Sequence, residues 1–166
     1  MPAAAIVTCS DRVSRGEAQD GAGPVLRGML EDAGYEVVEH TVVPDEQPQI
    51  EQVLRDLSSR DDVALVVATG GTGFAPRDVT PEATRAVIDR EAPGLAEAMR
   101  AAGRAVTPLA DLSRGVCGVV GSTLVLNLPG STKGATESLA AVLPILAHAL
   151  GLLADQHESH PTGPTA

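Results

Sequence analysis

The sequence predicts an α/β domain of three layers, α/β/α, built on a mostly parallel, doubly wound sheet. Three observations carry this. Apolar runs of strand length alternate with segments whose apolar residues recur at helical spacing. The run VALVVA at 63–68 is apolar at every position, as a strand covered on both faces of a parallel sheet would be. Glycine-rich segments follow strands and open helices, which is where such sheets keep their ligand sites. At 166 residues, with 43% hydrophobic and 20% charged residues, the chain suits a single domain with its own core.

Taken in order, AAAIVT at 3–8 reads as a buried first strand, and the opening MPAAAIVTCSDR lacks the basic start and long apolar stretch of a secretory signal. After a polar loop at 10–23, Val25, Leu26, Met29, Leu30 and Ala33 fall on one helical face, and Gly34 ends that helix as a C-terminal cap. The β-branched run at 35–43 is a second strand, closed by Pro44. Ile50, Val53, Leu54 and Leu57 define a helix over 47–60, and 63–68 is the third strand. A helix over 81–89 is expected with Thr80 as N-cap and Pro81 in its first position. Another helix follows at 94–104, then strands at 115–120 and 123–128. The last helical region, 134–153, contains Pro144, which is expected to kink or divide it. The domain is assigned to 1–154. The segment 155–166, polar and rich in Pro and Gly, is expected to be a flexible tail.

Composition narrows the partners. A net charge of −10 without a basic stripe argues against nucleic-acid binding. With one Phe, one Tyr and no Trp, the core must be aliphatic, and base-stacking platforms are lacking. No segment is expected to reach the length of a membrane span, so no membrane partner is expected. Cys9 and Cys117 stand far apart with no CxxC spacing, which suits a reduced, cytoplasmic protein. The four histidines form no HExxH motif, and neither metal ligation by His nor a Ser/His/Asp triad is expected.

The densest signal is TGGTGFAPRDVTPEAT, from Thr69 to Thr84, directly after the third strand. Glycines there let successive backbone N–H groups face one concavity, and the next helix adds its positive end, so Thr69, Gly70, Gly71, Thr72 and Gly73 read as an anion cradle. It is neither a Walker A loop nor a dinucleotide fingerprint, since Pro76 stands where GxGxxG has its third glycine. Asp78 lies beside this loop, and Asp45 in VVPDE leaves the second strand on the same edge. The pair can share a Mg²⁺ that accompanies phosphates, or serve only helix-dipole and turn chemistry. NLPGSTKG, from Asn127 to Gly134, repeats the pattern of strand, glycine turn, hydroxyls and helix start, giving Pro129, Gly130 and Ser131 as a second cradle. Lys133, the only lysine, is either a ligand contact there or a product of an Arg-favouring composition. Gly121, Ser122 and Thr123 form either a bend between strands or a further binding turn, and Phe74 either covers a flat ring or packs on its neighbours.

These motifs, with SDRVSRGEAQD upstream, closely resemble the MogA/MoaB molybdopterin-binding family, whose domain also occurs in gephyrin. The likeness runs from Ile6 to about Leu153 in the family's order. The resemblance implies the molybdopterin-binding fold, usually trimeric, and a Mg²⁺-dependent molybdopterin adenylyltransferase. Such an enzyme joins the terminal phosphate of molybdopterin to the α-phosphate of ATP and releases pyrophosphate. A MoaB-like molybdopterin-binding protein without that activity is the alternative. Carried over, Asp45 and Asp78 are the catalytic, Mg²⁺-binding carboxylates. Ser10, residues Thr69 to Gly73, Gly121, Ser122, Pro129, Gly130, Ser131 and Lys133 line the pterin-phosphate and nucleotide pocket. A homotrimer and a downstream MoeA-like molybdenum-insertion partner are also implied. The chain departs from the family at Ala22, where D.SG has a hydroxyl, and at Thr132, where the family commonly has Pro.

Overall fold

A computed structural model describes residues 1–154; the segment 155–166, with the tail expected there and with His157 and His160, lies outside the described residues. The chain runs through β1 (Ala3–Cys9), α1 (Asp11–Ser14), α2 (Ala22–Asp32), β2 (Glu36–Val43), α3 (Gln47–Ser58), β3 (Val63–Thr69), α4 (Thr80–Val87), β4 (Arg90–Glu91), α5 (Pro93–Arg104), a 3₁₀ turn (Pro108–Leu112), β5 (Cys117–Val120), β6 (Thr123–Leu128) and α6 (Thr132–Ala154). The strands form one sheet in the order β2-β1-β3-β6-β5-β4. The first four are mutually parallel, and β5 runs antiparallel to both its neighbours. The sheet is therefore mixed rather than purely parallel, reversed at one strand.

The two-residue side-chain period of the strands sorts the core into two layers. Ala4 and Ile6 of β1, with Leu65, Val67, Leu124 and Leu126, face Leu26, Leu30, Met99, Leu139 and Leu146 from α2, α5 and α6. Ala5, Val7 and Cys9, with Val66, Ala68 and Val125, face Ile50, Leu54, Leu57 and Val87 from α3 and α4. This is the three-layer arrangement that the alternating pattern predicts. Ile6, Leu26, Leu30, Leu65 and Leu126 are among the largest fully buried side chains, each stabilising the fold by roughly 1.5–3 kcal/mol relative to exposure.

Four local expectations are corrected. Thr80 is not the N-cap of α4: Val79 holds that position, and Thr80 is the first helical residue, fully buried, donating its backbone N–H to Gly71 O. Pro144 does not divide the last helix, because α6 runs unbroken for 23 residues. That helix is long and apolar enough to cross a membrane by length and composition alone, contrary to the expectation that no segment would be. Its Leu139, Val142, Leu146 and Leu150 instead recur at helical spacing and pack into the core. Finally, Gly121 and Ser122 form the tight turn of the β5–β6 hairpin. Because β6 is parallel to β3, that turn sits at the edge where β3 begins, and Thr123 there donates its hydroxyl to Val63 O.

Candidate ligand site at the strand ends

The carboxyl ends of β1, β3 and β6 leave the sheet as three loops, Ser10 onward, Gly70 onward and Pro129 onward. The last two pack directly on each other. Gly70 N–H donates to Leu128 O (3.0 Å), and Thr69 Oγ1 donates to Pro129 O (2.7 Å). A Cβ on Gly130 would stand only 3.2 Å from Gly70 Cα, and one on Gly70 (φ +98°) would collide with the Cys9 carbonyl oxygen. Neither turn admits a side chain at this crossing. The hydroxyl hydrogen of Thr69, expected to face a ligand, is instead committed to the crossing.

Two cavities flank the crossing and share Gly71, Gly130 and Ser131 as a common wall. The first, about 440 Å³, is lined by Thr72, Gly73, Asp78 and Pro129 together with residues of α5, α6 and the 3₁₀ turn. The second, about 460 Å³, is lined by Ser10, Asp20, Asp45, Thr69 and Gly70. Ser10 and Ser131 cap α1 and α6 by accepting N–H groups of Val13 (3.2 Å) and Gly134 (3.1 Å). Each hydroxyl keeps its own hydrogen to donate into the cleft. The expected residues Ser10, Thr69, Gly70, Gly71, Thr72, Gly73, Asp45, Asp78, Pro129, Gly130 and Ser131 are thus brought together. Gly121 and Ser122 are not: the hairpin places them at the opposite edge of the sheet. Lys133 lines neither cavity; its side chain is 75% exposed on the first turn of α6 and lies 4.0 Å from Glu137. Phe74 also points outward, 70% exposed.

The two aspartates sit in different surroundings. Asp45 Oδ2 accepts the Asp11 N–H (2.9 Å), and Asp45 N–H donates back to Asp11 Oδ1 (3.0 Å). Asp45 Oδ1 is buried and has no hydrogen-bond partner among the described residues. It lies 3.0 Å from where a Gly71 Cβ would be, and the unpartnered Thr80 Oγ1 lies 2.5 Å from the same point. Burial pushes Asp45 above the usual carboxylate range, and the charges of Asp11 and Asp78 add to the rise against the Asp11 backbone hydrogen bond. Asp78 Oδ2 accepts the Ala75 N–H (2.9 Å) within the glycine-rich loop. Cys9, behind the crossing, is pushed up to about 12 by burial and is inert as a nucleophile.

Two arginines, Arg77 and Arg114, hold this geometry. Arg77 forks onto Asp11 (2.5 and 3.1 Å) and Glu46 (2.7 Å), tying the glycine-rich loop to α1 and the Asp45 loop; its hydrogen bond holds Asp11 below the usual carboxylate range. Arg114 donates to Gly73 O (2.7 Å) and Asp78 O (2.7 Å), pairs with Glu82, and gives its backbone N–H to Thr72 O (2.8 Å). Asp20 accepts Thr8 Oγ1–H (2.6 Å) and the Gly23 N–H (2.8 Å) and sits 2.9 Å from His40 Nε2. No motif marked Arg114 because its partners are backbone carbonyls some forty residues away. Asp20 had a signal, its place in the D.SG-like loop.

Fold and site together define an α/β domain with paired glycine turns and two carboxylates around a cleft at the carboxyl ends of its strands. The family model described as "Probable molybdopterin binding domain" matches residues 5–148, and the chain belongs to that family. It is 47% identical over 139 residues to the molybdopterin adenylyltransferase of Haemophilus influenzae, covering 82% of this chain and 71% of that protein. It is 41% identical over 152 residues to the molybdenum cofactor synthesis protein cinnamon of Drosophila melanogaster. That match covers 90% of this chain, which spans a quarter of the length of the Drosophila protein. Among solved structures, the molybdopterin biosynthesis enzyme MoaB of Thermus thermophilus superposes with a TM-score of 0.88 at 55% identity, covering 92% of this chain and 96% of that one.

Proposed function

We propose that this protein acts in molybdenum cofactor biosynthesis as a molybdopterin adenylyltransferase. The observation that carries the reading is the placement of Asp45 and Asp78 in the two cavities that flank the interlocked glycine turns, in a chain 47% identical to an enzyme of that name. In the reaction, an oxygen of the terminal phosphate of molybdopterin attacks the α-phosphorus of ATP. The new P–O bond forms as the α–β bridging P–O bond breaks, and pyrophosphate leaves with the bonding pair. Several negative charges meet at one point, so the protein's work is positioning and neutralisation. The cradles Gly71 to Gly73 and Gly130 to Ser131 hold phosphate oxygens with backbone N–H groups, and the Ser10 and Ser131 hydroxyls add donors.

Asp45 and Asp78 fit a Mg²⁺: an orphaned buried carboxylate oxygen on Asp45 and a second carboxylate suit a cation that takes few protein ligands beside substrate phosphates. The metal, when bound, offsets the charge of the phosphates and of the leaving pyrophosphate. Two further parts belong to the same reading. The protein assembles as a homotrimer, supported by the family resemblance and by the exposed Val106, Leu109 and Leu112. Its product passes to a MoeA-like molybdenum-insertion protein.

The test is pyrophosphate release on mixing the protein with molybdopterin, ATP and Mg²⁺. Asp45→Asn and Asp78→Asn each lower kcat by about 100-fold or more, the scale of losing one preorganised electrostatic group; turnover unaffected by both would sink the mechanism. The 55% identity to a MoaB structure favours a second reading, a molybdopterin-binding protein without adenylylation. It predicts pterin binding with no ATP-dependent pyrophosphate release.

A further inference from the structure

The proposed phosphate chemistry leaves one polar cluster without a role: Thr8 of β1, His40 of β2 and Asp20 in the loop between α1 and α2. Asp20 Oδ2 accepts the Thr8 hydroxyl (2.6 Å) and lies 2.9 Å from His40 Nε2, which is itself 3.1 Å from Thr8 Oγ1. Asp20 Oδ1 accepts the Gly23 N–H (2.8 Å) in the first turn of α2. The supply of hydrogens fixes the state of the imidazole. Thr8 has one hydroxyl hydrogen and gives it to Asp20, and an ionised carboxylate has none to give. The approach of Nε2 to both oxygens is therefore satisfied by a proton on Nε2, shared between Asp20 and Thr8. Gly23 belongs to the same arrangement, since a Cβ there would collide with His40 Cε1 and Asp20 Oδ2.

With both its oxygens occupied, Asp20 has a different task from Asp45, whose Oδ1 has no partner among the described residues. It anchors the segment 19–22, which lines the 460 Å³ cavity. That segment bears on the second cradle: a Cβ on Gly21 would stand 2.8 Å from Thr132 Oγ1. Among the described residues no cationic side chain lines this cavity. Its grip on an anion depends on how well backbone N–H groups, hydroxyls and a metal are placed. We propose that His40 is a positioning residue for this cavity: through Asp20 its Nε2–H holds the wall 19–22 against Thr132 and so sets the affinity for a Mg²⁺-complexed polyphosphate. The assignment rests on the proposed function only in that such a ligand enters the cleft, and it adds a residue that lines neither cavity.

The full-length protein and its His40→Ala, His40→Gln and His40→Asn variants are titrated with ATP and Mg²⁺ by calorimetry. Losing one hydrogen bond to a charged group lowers the population of the anchored wall by about 10-fold, and the apparent affinity falls with that population. His40→Ala is thus expected to weaken Mg–ATP binding about 10-fold and to raise amide exchange at Gly21 to Gly23 by a similar factor, with β1 and β3 unchanged. A glutamine amide can place an N–H near the Nε2 position, whereas asparagine is one methylene too short. His40→Gln therefore restores affinity to within about 3-fold of wild type, and His40→Asn stays as weak as His40→Ala. A side chain that only filled space would not give this order. Nitrogen-15 NMR of the wild-type ring supplies a second readout, with the proton expected on Nε2. Affinity unchanged in His40→Ala, glutamine no better than asparagine, or a neutral ring with its proton on Nδ1 each overturns the proposal. Should His40→Ala fail to fold, the glutamine and asparagine variants and the ring spectrum still decide. A protein that shows this pattern but releases no pyrophosphate refutes only the adenylylation.

Discussion

At the residue scale, Asp45 sets stability against its proposed catalytic role. A carboxyl whose native pKa lies above its unfolded value disfavours folding once ionised: its full penalty is present above the native value and is relieved as pH falls toward the unfolded one. Asp45→Asn therefore raises the melting temperature at pH 7, by about 2–4 °C for each ~1 kcal/mol relieved, while removing turnover; scanning calorimetry checks the first effect. Asp11 has the opposite sign. Its pKa is lowered by Arg77, so its contribution is present above the unfolded value and is lost as pH falls through the native one. Arg114 is a positioning residue by its contacts with Gly73 O, Asp78 O and Glu82. Arg114→Lys cannot span all three, and amide hydrogen exchange across Gly73 to Asp78 should rise by about 10-fold or more, with kcat falling in step. Unchanged exchange in that loop would refute the clamp. What was readable at this scale followed chemistry written locally. Asp45, Asp78 and both cradles lie in contiguous motifs, whereas Arg114 acts on carbonyls that only the fold brings near.

At the element scale, the strands and long helices were legible because period and length agree with their burial. Ile50, Leu54 and Leu57 on α3 and the unbroken run of β3 are examples. The four-residue α1 was hidden in a polar loop, and the two-residue β4 has no period to display. The direction of β5 was readable in principle, since Gly-Ser between two apolar runs is a tight hairpin signal, yet a second glycine turn resembled another cradle. Pro144 shows how tertiary packing overrides local propensity. The flanking Val142 and Leu146 are fully buried, which holds α6 together across the missing N–H. Pro144→Ala restores that donor and is expected to stabilise the protein by about 1 kcal/mol, part of the gain being offset by a more flexible unfolded chain. Thermal unfolding tests it; a lowered melting temperature would show that the proline geometry itself is needed.

At the scale of the whole molecule, a net charge of −10 opposes the approach of polyanions that the cleft is proposed to bind. Screening should help rather than hinder. Raising ionic strength from about 0.01 M to about 0.15 M shortens the Debye length from about 30 to about 8 Å, so KM for Mg-ATP is expected to fall, where a basic nucleotide site would show a rise. Initial-rate measurements at fixed free Mg²⁺ distinguish the two. The contact of Gly70 against Gly130 has a consequence for such kinetics. Two backbones at van der Waals distance, anchored on adjacent parallel strands, leave nothing between them to compress or part. The cleft thus contains a rigid gauge: the separation of its two halves is set by the pitch of the sheet, and under the proposed reaction a substrate pair is measured against it by the length of its phosphate bridge.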